Sequence, residues 1–148
     1  MKRQGGFALV ELLIATAITG VIAGVLGTTV FQIINVSEYG NDRLTALHEL
    51  QNIAYWVSRD AQMADNATGG DELVLTFPDG SSITYEVTGQ QFRRRAGGPP
   101  LRLAWNITSA NFSVDNRTVT MSLNSSPEGR DNVSQQGTYK VSLRPSGE

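Results

Sequence analysis

Two hydrophobic patterns are joined end to end in the first half of the chain. From Phe7 to Val36 the sequence is apolar without a clear period, and Glu11 is its only ionisable residue. As a helix rising about 1.5 Å per residue, this run reaches roughly 45 Å, more than the roughly 30 Å of a bilayer core. An ordinary secretory leader fits poorly, because its apolar region spans only about 7 to 15 residues and closes at a small-residue cleavage site. The nearest such site, "ATA" at Ala15 to Ala17, lies inside a run that continues.

The second pattern is amphipathic. In "NDRLTALHELQNIAYWVSRDAQMADN", Leu47, Leu50, Ile53, Ala54, Val57, Ala61 and Ala64 recur at three- and four-residue steps. Asp42, Glu49, Arg59 and Asp60 are expected on the flanks of that stripe or opposite it, and "NATGG" at Asn66 to Gly70 supplies the stop. The reading is one long helix, or two nearly collinear ones divided at Gly40. Residues 7–37 form its apolar, membrane-spanning half and residues 38–68 its amphipathic half.

Beyond "TGG" the period falls to two. Leu73, Leu75 and Phe77 alternate with Val74 and Thr76, "PDGSS" turns the chain, and Ile83, Tyr85 and Val87 alternate back as a hairpin. "GQQFRRR" is a shorter strand stopped by "GGPP". Leu101 to Trp105, Ala110 to Val114, Val119 to Leu123 and Tyr139 to Leu143 follow, with "DNR" at Asp115 to Arg117 turning one pair. "NSSPEGRDNVSQQG" has loop composition. An amphipathic helix needs an apolar partner, and a sheet with one apolar face supplies it. The expected fold is therefore α+β, a long N-terminal helix packed on an antiparallel β-sheet, with residues 71–148 forming the sheet domain.

Charge and composition narrow the function. Lys2 and Arg3 precede the span and Glu38 and Asp42 follow it, so the positive-inside rule puts the N-terminus in the cytoplasm and the sheet domain outside. Cysteine is absent, so an exported domain of this size is held by packing without disulfides. The 12 basic and 14 acidic residues give a net charge of −2; without Lys2 and Arg3 the balance is ten against fourteen, or −4. Such a balance leaves no electrostatic footprint for nucleic acid.

Catalytic and metal motifs are incomplete. "HELQN" opens like a zinc helix, but Asn52 stands where the second histidine belongs and His48 is the only histidine, which leaves it a solvated helix residue. No thiol and no G-x-S-x-G occurs. Asp71 and Glu72 alone do not make the six ligands of a calcium site. No catalytic residue, metal, cofactor or small-molecule substrate is expected. Arg93, Arg94 and Arg95 form the only basic run, with Arg94 on the opposite strand face from the other two. A charged edge strand that discourages further pairing is the simplest reading, beside contact with an acidic neighbouring subunit and DNA capture. Seven N-x-[ST] triplets, among them those at Asn35 and Asn132, are expected by chance in a chain this rich in Asn, Ser and Thr.

The residues around Glu11 carry a resemblance. A charged leader of residues 1–6 ending in Gly5 and Gly6, then Phe7, then Glu11 at the fifth position of an overlong apolar helix, resembles the signature of bacterial type IV prepilins and type II secretion pseudopilins. "ELQNIAYWVSRDAQMA" followed by "ELVLTFPDGSSITYEV" is similar to W-type minor pilins and J-type pseudopilins. The resemblance implies cleavage after Gly6 by a membrane-embedded prepilin peptidase, N-methylation of Phe7, and packing of apolar helices with other pilins or pseudopilins in a filament core. Many major pilins carry a proline within this helix and positions 7 to 36 contain none, which favours a minor subunit.

Physical arguments agree with that signature. Gly5 and Gly6 remove the side chains that would keep a peptidase from the backbone. Thr16, Gly20 and Gly24 recur at four-residue steps and Ala23 and Gly27 widen the same small-residue face, on which helix backbones can approach closely. Glu11 is expected to form an assembly salt bridge with the new amine of Phe7 on a neighbour, beside two other readings: pairing with Phe7 of its own chain, one turn away, and a carboxylate that simply reaches the headgroups at a helix N-terminus. The expected role is a minor pilin or pseudopilin of the cytoplasmic (inner) membrane that joins or initiates a type IV pilus or type II secretion pseudopilus. The alternative is a single-pass anchored surface module that interacts with a partner and joins no filament.

Overall fold

A computed structural model describes residues 5–127 and 133–145, with only the backbone of residues 5–7 and 38. The leader residues Met1 to Gln4, including Lys2 and Arg3, and Asn132, which opens one of the triplets, lie outside the described residues. The chain divides into two compact units, Met1–Glu38 and Tyr39–Glu148.

Helix α1 runs from Gly5 to Ala61 as one element of 57 residues, unbroken at Gly40. A glycine inside a helix costs only about 1 kcal/mol relative to alanine. Fully burying one aliphatic side chain is worth about 1.5–3 kcal/mol, so the packing of the stripe outweighs that cost. In the first unit, every residue from Ala8 to Ile34 is exposed. In the second, Leu50, Ile53, Val57 and Ala61 are buried in one core with strand residues.

The helix ends seven residues before the expected boundary at 68. Met63 and Ala64 donate to the carbonyls of Asp60 and Ala61, both at 3.1 Å, which tightens the last turn. Asn66–Thr68 then forms strand β1, paired antiparallel with β2, Leu73–Thr76. The backbone groups that a longer helix would satisfy are met instead by strand pairing, and Ala67 is buried.

The remaining strands are β3, Ser82–Thr88, β4, Gln91–Arg95, β5, Leu101–Ala104, β6, Ile107–Asp115, β7, Thr118–Ser125, and β8, Gln135–Ser142. They make two antiparallel sheets where one was expected: a five-stranded sheet in the order β1-β2-β3-β4-β5 and a three-stranded sheet in the order β6-β7-β8. Gly89 and Gln90, at φ of 57° and 61°, make the two-residue turn between β3 and β4.

The sheets meet where Gly70 and Phe112 exchange backbone hydrogen bonds of 2.8 and 3.1 Å. At the adjacent Gly69 an added Cβ would lie 2.6 Å from the Phe112 carbonyl oxygen, so this approach requires glycine. On β7, Val119, Met121 and Leu123 turn inward and join the core formed by Leu73, Leu75, Tyr85 and Phe92 of the larger sheet.

The basic run departs from the expected arrangement. β4 is an interior strand, paired with β3 on one side and β5 on the other, so Arg93 to Arg95 do not guard a sheet edge. The alternation itself holds. Arg94, paired opposite buried Tyr85, reaches Asp60 of the helix, while Arg95 forms an ion pair with Glu86 at 2.8 Å.

Candidate functional site

In the first unit, Gly5, Gly6 and Phe7 open α1, and Glu11 follows one turn beyond Phe7. Five side chains between Ala8 and Phe31 are polar, and they separate into two kinds. Thr16 and Thr28 donate their hydroxyls to the carbonyls of Leu13 and Val25, at 3.0 and 2.8 Å. Thr19 and Thr29 donate to those of Ala15 and Val25, at 2.8 and 2.9 Å. Such back-bonding hides a hydroxyl from hydrocarbon. Glu11 is exposed and, among the described residues, has no hydrogen-bond or ion-pair partner. It is thus the one polar side chain between Ala8 and Phe31 that the helix does not satisfy itself.

Gly20, Gly24 and Gly27 lie farther along the same helix. A Cβ built on any of them meets nothing within 4 Å, so the small-residue face is bare. With the exposed Val21, Ile22, Val25 and Leu26 around it, this surface is apolar and stays in contact with solvent in the isolated chain. Among the described residues, one helix is long and apolar enough to cross a membrane.

In the second unit the polar groups work as fasteners between helix and sheets. Glu49 accepts hydrogen bonds from the Trp105 backbone N–H at 3.2 Å, the Asn106 side-chain amide at 3.1 Å and the Ser125 hydroxyl at 2.8 Å. Asn52 donates to the Leu103 carbonyl at 2.6 Å. Asp60 is fully buried and accepts from the Tyr85 hydroxyl and from Arg94 Nε, each at 2.6 Å. The expectation that Asp60 lies off the apolar stripe is therefore corrected. Ile53, Val57, Asp60 and Ala64 are four, three and four residues apart, which places Asp60 on the stripe, and the signal was its spacing.

His48, Asp71 and Glu72 are exposed, and among the described residues no three His, Cys, Asp or Glu side chains gather where they could hold a metal ion.

Residues 1–27 match the family model for the prokaryotic N-terminal methylation motif. No curated protein and no solved structure matches the chain. The matched segment contains Gly5, Gly6, Phe7 and Glu11 and ends at Gly27. The match supports a type IV pilin-like prepilin signal at the start of the chain. Together the signal and the apolar helix indicate anchoring in a membrane.

Proposed function

We propose that this chain is a minor pilin or pseudopilin, of the W-type or J-type kind, that is cleaved between Gly6 and Phe7 by a prepilin peptidase. It is N-methylated on Phe7 and joins a type IV pilus or a type II secretion pseudopilus. Before assembly it spans the inner membrane once, with its N-terminus in the cytoplasm and the sheet domain outside.

The observation that carries this reading is Glu11, inside the matched methylation motif and unsatisfied in a segment, Ala8 to Phe31, whose other polar side chains bond to the helix backbone. Cleavage creates an ammonium on Phe7, and N-methylation preserves its positive charge. An unpaired cation and an unpaired anion are each unfavourable in hydrocarbon, and pairing relieves both. An incoming subunit's Phe7 amine meeting a neighbour's Glu11 would set the register of adjacent helices. The Gly20, Gly24 and Gly27 face would then let backbones approach closely, with dispersion and Cα–H contacts holding the pair.

Assembly itself is tested with the absence of cysteine as an advantage. Val10→Cys labelled with a thiol-reactive photocrosslinker, in the bacterium that makes the chain, should crosslink on illumination to other pilin-like subunits and appear in sheared filaments. A chain recovered only from the membrane and crosslinked to no such subunit would support the anchored surface module instead.

A further inference from the structure

Fully buried Asp60 holds two guanidinium groups beside each other. Arg94 Nε lies 2.6 Å from Oδ2 and Arg59 Nε 3.5 Å from Oδ1, which itself receives no hydrogen bond. The guanidinium carbons of Arg59 and Arg94 lie 4.5 and 5.5 Å from the centre of the Trp56 ring. Arg94 donates its Nε to Asp60 while Arg59 stands only within ion-pair range of it, and among the described residues the Arg59 guanidinium donates to no protein acceptor. A groove of about 750 Å³ opens at this point, its trough lined by Met63, Phe77, Pro78 and Ile83. Arg59 also lines an adjoining groove of about 480 Å³ with Lys140 and Tyr139.

The larger groove has two cations against two carboxylates, and Lys140 of the adjoining groove leaves one cation in surplus across the pair. Arg59, Arg94 and Lys140 stand against Asp60, already engaged, and Asp79 at the rim. Asp79 accepts from the Ser81 hydroxyl at 2.6 Å and the Ser81 N–H at 2.9 Å, which hold its carboxyl below its ordinary value, and it is open to water, where its field is screened. The surplus is cationic in a chain whose balance past the leader is −4. Guanidinium forks pre-ordered by a carboxylate and an aromatic ring suit a second carboxylate, since little side-chain freedom is left to lose. Met63, 47% exposed beside them, offers apolar surface at the same place.

We infer that this groove binds an acidic peptide segment of a neighbouring protein, with a side-chain carboxylate on Arg59 and Arg94 and an adjacent apolar side chain in the Met63, Phe77 and Pro78 trough. This goes beyond the role proposed above and does not depend on leader processing.

The test uses the full chain in detergent with Trp105→Phe, so that Trp56 is the sole indole reporter. Acetyl-Leu-Asp-Leu-Glu-amide should change Trp56 emission saturably, and its Asn/Gln analogue should bind about fivefold more weakly or worse. Arg59→Gln, at a half-exposed position that leaves Asp60, Arg94 and Tyr85 in place, should weaken the acidic peptide similarly. Met63→Glu, exposed and opposed to the peptide's charge, should do so as an independent check. No saturable change, equal binding of the amide analogue, or indifference to both substitutions would overturn the inference. So would sodium acetate competing with the peptide at equal concentration, which would mean that the forks take a small anion and that the trough reads no peptide.

Discussion

The Tyr85 hydroxyl on β3 donates a hydrogen bond of 2.6 Å to the Asp60 carboxylate on α1, and both residues are fully buried. Arg94, from the neighbouring strand β4, completes the group at the same carboxylate oxygen. A helix is thereby fastened to the middle of a sheet by one hydrogen-bonded ion pair among aromatic and aliphatic side chains.

Removing one member of such a group costs more than the group adds, because the others remain buried without a partner. Asp60→Ala should destabilise the domain by about 3 kcal/mol or more, since it leaves the Arg94 guanidinium and the Tyr85 hydroxyl without their acceptor. Asp60→Asn retains an acceptor oxygen and should cost less. Denaturant midpoints of the full chain in detergent, followed by tryptophan emission, give the order; equal midpoints for Asp60→Ala and the parent would show that the contact holds nothing.

Burial first, and then the hydrogen bond and charge of Asp60, push the Tyr85 hydroxyl well above its ordinary value of 10.0. The folded chain thus favours the neutral phenol, and Tyr85's share of stability is complete below pH 10.0 and is lost as the pH rises toward the folded-state value. Between pH 10.0 and the folded-state value stability should fall by about 1.4 kcal/mol per pH unit from this residue. Tyr139 is also raised by burial, so the difference between the parent and Tyr85→Phe isolates the effect of Tyr85. Parallel stability curves from pH 9 to 11, about a unit either side of the ordinary value, would contradict it.

The helix and the hairpin strands were legible because each announces itself locally, through runs at period 3.6 and period two. Gly5, Gly6, Phe7 and Glu11 drew notice for a different reason: a carboxylate in an apolar run stands out without knowledge of the fold. Asp60 was misplaced because its charge was read as exposure while its spacing from Val57 pointed inward. The interior position of β4 and the division into two sheets depend on contacts such as Gly70 with Phe112, 42 residues apart in number and set by no local pattern. Glu49 was missed similarly, since its donors Trp105, Asn106 and Ser125 lie far along the chain.

The pairing proposed for Glu11 would separate processing from assembly. Glu11→Gln and Glu11→Ala should enter the membrane and lose the leader as usual, yet fail to join filaments or lose crosslinks to neighbouring subunits. Comparing processed chain in the membrane with chain in sheared filaments reads both steps. Normal incorporation of both variants would return Glu11 to a carboxylate that merely reaches the headgroups from the first turns of a helix.

The central claim concerns the bond between Gly6 and Phe7, and N-terminal mass spectrometry of chain extracted from the bacterial membrane reads it directly. The account predicts a mature chain beginning at Phe7 with one methyl group on its amine, and a Gly6→Leu variant that keeps its leader because a bulky side chain holds the peptidase away from the backbone. An intact Met1 on the parent chain, or normal cleavage of Gly6→Leu, would contradict it.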